Sequence, residues 1–126
     1  MKSTILILFA ALMGASGVIL AALAAHTIEG AGLEGPANLL LFHAVAVIAG
    51  VGLMGSGHVW QRPLFLTLAG WVLGAILFSG TIALQAFTGH KLFPMAAPAG
   101  GTILIAAWLA LGVASLGAAV RPSTRR

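Results

Sequence analysis

Four long apolar stretches, separated by short segments rich in glycine, proline and charge, divide the 126-residue chain. They run over residues 4–25, 37–55, 63–87 and 99–120. An α-helix rises about 1.5 Å per residue, so about 20 residues cross a hydrocarbon core that is about 30 Å thick. Each stretch is therefore long enough to cross a membrane as one helix. We predict an all-α fold, a polytopic bundle of four transmembrane helices that forms a single domain over residues 1–126.

The positions of the prolines agree with this division. Pro36 and Pro63 stand at the starts of the second and third spans, where a missing N–H costs little. The other three prolines fall in connections or beyond the last span, so no span is interrupted. The first span also has features of a signal peptide, with Lys2 before it and small residues at its end. It is longer than the apolar core of such a peptide, and we favour a membrane helix.

Composition supports a membrane protein. Hydrophobic residues make up 60% of the chain and charged residues 6%, whereas a soluble domain carries about 25% charged residues. The net charge of +4 does not predict a nucleic-acid partner, because the basic residues lie at the chain ends and in connections. The chain has no cysteine, which excludes disulfides and thiolate metal sites.

The basic residues also predict the orientation of the bundle. With four spans, both termini and the connection between the second and third spans share one side of the membrane. Lysine and arginine collect on the cytoplasmic side of membrane proteins. Here one side carries Lys2, Arg62, Arg121, Arg125 and Arg126, and the other carries Lys91. We therefore predict a multi-pass protein of the cell inner membrane with both termini in the cytoplasm.

The few polar side chains within the spans collect in the half of the bundle that is predicted to face outward. They are His43 in the second span and Ser79, Thr81 and Gln85 in the third, with His26 at the outer boundary. A polar group that is buried in lipid is costly unless it is paired. We expect His43 to point inward and to pair with Ser79, Thr81 or Gln85. This cluster is either a link between helices or a small ligand pocket.

Metal and catalytic sites have little support in the sequence. His26 and Glu29 are three residues apart, and His43 or His90 would have to complete a set of ligands. The chain carries no haem-attachment motif, and we expect neither a metal nor another cofactor. Both acids, Glu29 and Glu34, lie in a connection rather than in a span, which argues against proton-coupled transport. There is no Gly-x-Ser-x-Gly motif and no carboxylate pair within a span, so we expect no enzymatic activity.

Small residues in the spans predict close contact between helices. Glycine and alanine allow membrane helices to approach each other closely. A short match between residues 17–20 (GVIL) and 74–77 (GAIL) hints that the chain consists of two similar hairpins. The glycines that we expect at helix contacts are Gly14, Gly17, Gly70, Gly74, Gly100 and Gly101.

Four segments resemble a known family. They are ALAAH at 22–26, LFHAVAV at 41–47, GWVLGAILFSG at 70–80 with Thr88-Gly89 after it, and PAGG at 98–101 with Trp108 after it. In this order they resemble the domain of unknown function 423 family, small inner-membrane proteins related to transmembrane protein 256. The family pattern maps onto His26, His43, Ser79, Gly80, Pro98, Gly100 and Gly101, and the chain departs from it at Thr27 and Ala97. The resemblance implies four membrane helices and no assigned activity.

Two functions remain in view. The first is an accessory, assembly or stabilising partner of a larger membrane complex, favoured by the glycine- and alanine-rich faces. Its partners would be membrane lipids and either such a complex or further copies of the chain. The alternative is a binding module that holds a lipid, a quinone or another small apolar ligand in an outer-half pocket around His43. These two functions would be distinguished by replacing a small residue on an outward face of the bundle, and Gly70 is the predicted choice.

Overall fold

Four long helices follow one another along the chain. The computed structural model describes residues 1–26 and 32–120, and within them the helices are α1 (Lys2–His26), α2 (Glu34–Gly52), α3 (Gln61–Thr88) and α4 (Ala96–Ala119). Each helix is long and apolar enough to cross a membrane, and the described residues contain no strand. The predicted all-α fold with four membrane spans is therefore confirmed. Several residues that the sequence argument used lie outside the described ranges: Thr27, Glu29, Arg121, Arg125 and Arg126.

Each helix begins two or three residues before the predicted span, and the prolines explain the difference for three of them. A proline is the third residue of α2, α3 and α4. Proline is tolerated there, because the first four N–H groups of a helix have no partner within the helix. The residue after each proline then donates the first backbone bond. These bonds run from Ala37 N to Leu33 O (3.0 Å), from Leu64 N to Trp60 O (3.0 Å) and from Ala99 N to Met95 O (2.9 Å). Pro98, placed by the sequence argument in a loop, thus belongs to the first turn of α4.

The helices pack in chain order. α1 packs on α2, α2 on α3 and α3 on α4, while α1 and α3 touch each other over a shorter length. α2 and α3 therefore each have neighbours on two sides. Within the described residues the backbone of α4 contacts α3 alone among the helices. The molecule is thus two hairpins, α1–α2 and α3–α4, joined through α2 and α3.

The same glycine contact closes both hairpins. A Cβ placed on Gly17 of α1 would lie 2.7 Å from Leu41 Cγ and 3.1 Å from the backbone oxygen of Ala37, both in α2. In the second hairpin, a Cβ on Gly74 of α3 would lie 2.8 Å from Leu104 Cγ and 2.9 Å from the backbone oxygen of Gly100, both in α4. In each case the two partner residues are one helical turn apart. The two hairpins therefore pack alike at their glycines, as the short match at 17–20 and 74–77 suggests.

The remaining predicted packing glycines differ in how tightly they are enclosed. A Cβ on Gly100 would meet Phe78 N at 2.7 Å, and one on Gly70 would meet Ala107 Cβ at 3.0 Å. Positions 14 and 101 leave ordinary room, because the nearest atoms would lie at 3.8 Å. Gly70 therefore lies at the α3–α4 contact inside the bundle. It was wrongly chosen as a residue of an outward face, because hydropathy does not tell the two sides of an apolar helix apart.

A short connection, residues 53–60, joins the hairpins at the end of the bundle that is predicted to face the cytoplasm. Gln61 accepts a hydrogen bond from Gly55 N (2.8 Å) and donates one to Val59 O (3.0 Å). Trp60 N donates to Ala114 O of α4 at 3.3 Å, and its ring lies against Gly117. The connection is thereby fixed to the end of α4, and Trp60 occupies the boundary position that is typical of an interfacial tryptophan.

Candidate functional site

His43 lies in the interior of the bundle, and the protein itself uses both of its ring nitrogens. The side chain is 3% exposed. Its Nδ1 is 2.9 Å from the backbone oxygen of Leu39, one turn earlier in α2, and its Nε2 is 3.2 Å from Nε1 of Trp108 in α4. An indole N–H can only donate, so Nε2 is the acceptor and Nδ1 carries the proton that is donated to Leu39. The geometry thus fits one tautomer of the neutral imidazole.

Three further aromatic rings surround this imidazole. Phe42 and Trp71 lie with their centroids 5.3 and 6.3 Å from that of His43, and the rings of Trp71 and Trp108 are 4.3 Å apart. The cluster of Phe42, His43, Trp71 and Trp108 joins side chains from α2, α3 and α4. Trp71 is buried, whereas Trp108 is 39% exposed at the side of the bundle. The cluster is therefore a packed junction between three helices, and its outer edge is exposed at the side of the bundle.

The partner predicted for His43 was wrong. Ser79 donates instead to the backbone oxygen of Pro36 (3.0 Å), which lies seven residues and about 10 Å before His43 along α2. Thr81 is seven residues after Gly74, so it shares the face of α3 that packs on α4. Gln85 is exposed. These three side chains therefore do not converge on the imidazole.

The outer-half polar cluster is thus not one site. His26, at the end of α1, is exposed, as is Gln85 at the end of α3. Ser79 links α3 to α2 at a different height from His43. Within residues 1–26 and 32–120 no three His, Asp or Glu side chains come together as metal ligands. Glu29, which the sequence argument paired with His26, lies outside the described residues.

Two tryptophans complete the cluster around His43 and are not among the residues predicted for this site. Trp71 and Trp108 lie near the middle of their helices, whereas membrane tryptophans are enriched at the interfaces. Two tryptophans in mid-span beside an intramembrane histidine were the available signal for an interior polar link. Trp71 Nε1 and the hydroxyl of Thr67, one turn earlier, are both buried without a hydrogen-bond partner. The interior of α3 therefore holds polar groups that its packing does not satisfy.

Comparison with known proteins places the chain in a family. A family model described as "Protein of unknown function (DUF423)" matches residues 20–101, which include His43, Trp71 and Ser79. The chain belongs to this family. It is also 31% identical over 75 residues to a "UPF0382 membrane protein" from Haemophilus influenzae, a match that covers 60% of this chain and 58% of the relative. The chain thus matches less than two thirds of that relative's length, and no solved structure matches it.

Membership of the family confirms the resemblance that the four sequence segments indicated. The DUF423 description assigns no activity, and the relative's name states only that it is a membrane protein. Together with four helices long enough to span a bilayer, these comparisons identify the chain as an integral membrane protein of an uncharacterised family. Trp108, the partner of His43, lies beyond the matched residues.

Proposed function

We propose that this DUF423 protein is a non-enzymatic accessory subunit of the inner membrane, and that it packs against a larger membrane protein through the outward face of α4. The observation that carries the proposal is the unequal cover of two equivalent helices. α2 and α4 are the second helices of hairpins that pack alike. The backbone of α2 has a neighbouring helix on each side, whereas the backbone of α4 contacts α3 alone among the described helices.

The glycine contacts give the alignment of α4 on α2. Leu41 and Leu104 make the same contact with Gly17 and Gly74, so they are equivalent positions. On this alignment Gly50, which is buried against Leu68 of α3, corresponds to Val113, which is 63% exposed. His43, buried in α2, corresponds to Ala106, exposed in α4. The face that α2 uses to bind α3 is thus uncovered in α4.

The composition of this face suits a protein neighbour. Membrane helices gain no hydrophobic energy on leaving lipid, so they associate by close van der Waals contact, which small residues permit. Ala106 and Gly112 are exposed on α4, and a Cβ on Gly112 would have no neighbour within 4 Å. Leu109 and Leu116, on either side of Gly112, supply large side chains that can enter grooves of a partner. We call the surface formed by Ala106, Leu109, Gly112, Val113 and Leu116 the α4 face.

Site-specific crosslinking tests the proposal. A photo-reactive amino acid at Val113 is expected to give an adduct of defined mass with another integral membrane protein, identified by mass spectrometry. The same group at Val45, which is 67% exposed on α2, is the control and should give no such adduct. Gly112→Leu should abolish the Val113 adduct, because the larger side chain holds the partner helix away. Its thermal stability should not fall, because position 112 has free space and leucine is the better helix former.

The crosslinks also separate this proposal from its alternatives. Adducts of Val113 with a second copy alone would identify a homo-oligomer and contradict a larger partner. Lipid adducts alone at both positions would mean that α4 simply faces the bilayer. The other predicted function, a ligand pocket around His43, draws no support from the geometry, since protein groups already occupy both ring nitrogens.

A further inference from the structure

An apolar groove runs between α1 and α3, away from both His43 and the α4 face. Both helices pack on α2 but touch each other only briefly, so the space between them stays open. The part near the start of α1 has a volume of about 350 Å³, and the adjoining part of about 440 Å³ lies farther along the helices. Phe9 and Ile76 line both parts, so the two parts adjoin along the side of the bundle. We call the first part the inner groove.

The inner groove is apolar except at one end. Its walls include Ile5 and Phe9 of α1 and Phe65, Ala69 and Ile76 of α3. These residues offer no side-chain hydrogen-bond donor or acceptor, so the walls favour a hydrocarbon chain over a polar ring. Along α1 the groove extends from Lys2 to Phe9, and along α3 from Phe65 to Ile76. At about 1.5 Å per residue this is about 10 to 17 Å, close to the depth of one leaflet of the hydrocarbon core.

The open end of the inner groove is positively charged. Among the described residues that line either part of the groove, Lys2 alone is charged, and its Nζ lies 5.2 Å from the centre of the Phe65 ring. Arg62 is three residues before Phe65 and so lies on the same side of α3, one turn closer to the helix start. Glu34 is the one acidic residue among residues 1–26 and 32–120. It lies at the start of α2, which is at the opposite end of the bundle. An anionic group at this opening would therefore meet Lys2, with Arg62 one helical turn away on the same side of α3.

We propose that the inner groove is a binding site for one acyl chain of an anionic phospholipid, with the headgroup phosphate held at Lys2 and Arg62. The lysine and arginine distribution predicts that this end faces the cytoplasm, where anionic lipids attract basic residues at the membrane surface. The apolar walls select a hydrocarbon chain, and the charge at the opening selects a negative headgroup over a zwitterionic one. The proposal is independent of the partner proposed for α4, because the two surfaces share no residue.

Native mass spectrometry of the full chain tests this site. The protein is purified in mild detergent and mixed with equal amounts of phosphatidylglycerol and phosphatidylcholine of the same chain length. We expect one retained phosphatidylglycerol per protein, in clear excess over phosphatidylcholine. Lys2→Gln should weaken that binding about fivefold, and Lys2→Arg should retain it. Lys91→Gln, which removes one lysine at the other end of the bundle, is the matched control and should bind as the parent chain does.

A second substitution tests the groove rather than the charge. Ala69→Phe places a large ring in the inner groove and leaves both cations intact, so it should displace the lipid. Its melting temperature is compared with that of the parent chain. Equal retention of the two lipids by the parent chain would overturn the proposal, as would equal losses in the Lys2→Gln and Lys91→Gln variants. The Lys2 comparison decides the matter even if Ala69→Phe does not fold, because Lys2 is exposed and outside the core.

Discussion

At the scale of single residues, the link between His43 and Trp108 stands out. The backbones of α2 and α4 make no contact in the described part of the chain, so side chains alone join these two helices, through this hydrogen bond and the neighbouring rings of Phe42 and Trp108. Hydrogen bonds between membrane helices contribute about 0.6–2 kcal/mol, because the unfolded chain in the membrane also finds partners. The link therefore positions α4 more than it stabilises the whole bundle.

A double-mutant cycle measures this link. Trp108→Phe removes the indole N–H but keeps an aromatic ring, and His43→Leu removes the acceptor. We expect each variant to lower the unfolding free energy, and the double variant to lose about 0.6–2 kcal/mol less than the two together. The measurement is unfolding in mixed detergent micelles, followed by circular dichroism. In the control cycle Ser115→Ala replaces Trp108→Phe. The hydroxyl of Ser115 donates to the backbone oxygen of Leu111 in its own helix, so the effects of Ser115→Ala and His43→Leu should be additive. Additivity in both cycles would contradict the hydrogen bond between His43 and Trp108.

The sequence predicted the burial of His43 but not its partner. An intramembrane histidine must be paired, which fixes the expectation that it points inward. The choice of partner depends on which way α3 and α4 are turned, and apolar helices carry little information about that. Leu66 and Leu68 in α3 are the same residue type, yet Leu66 is exposed and Leu68 is fully buried. In a soluble helix a polar face would have separated them.

At the scale of helices, the α3–α4 contact depends on Gly100. Phe78 N and Gly74 O would lie 2.7 and 2.8 Å from an added Cβ, and backbone atoms cannot move aside as a flexible side chain can. Gly100→Ala should therefore force the two helices apart and cost about 1–3 kcal/mol of unfolding free energy. Gly101→Ala is a matched control one residue away, where the nearest atoms would be 3.8 Å distant.

The melting temperatures of the two alanine variants are expected to change in opposite directions or by clearly different amounts. Alanine is the better helix former by about 1 kcal/mol, so Gly101→Ala should leave the thermal unfolding temperature unchanged or raise it. Gly100→Ala should lower it despite the same gain in helix propensity. Equal melting temperatures would contradict the close approach of α3 and α4. The sequence identified both positions as packing glycines, but the backbone geometry was needed to tell a close contact from an open one.

At the scale of the whole molecule, the order of the helices separates two surfaces. α4 is at one end of the row and leaves uncovered a face whose equivalent in α2 is buried. α1 and α3 enclose an apolar groove elsewhere on the bundle. On the alignment of Gly17 with Gly74, Ile7 of α1 is 46% exposed, whereas its equivalent Leu64 in α3 is fully buried. The open sides of α1 and α4 thus follow from repeating one hairpin twice without closing the row.

The orientation of the bundle in the membrane is the remaining prediction, and the absence of cysteine makes it simple to test. His58 and His90 are exposed residues in connections at opposite ends of the bundle. Lys2 and Arg62 lie at the same end of the bundle as His58, so the positive-inside rule predicts that this end faces the cytoplasm. In spheroplasts, a membrane-impermeant maleimide should label His90→Cys at once and His58→Cys only after lysis. The reverse labelling pattern would mean that the chain has the opposite orientation and that the inner groove lies in the other leaflet. The anionic lipid would then have to be supplied from the outer face, so the labelling result also decides which leaflet the lipid comes from.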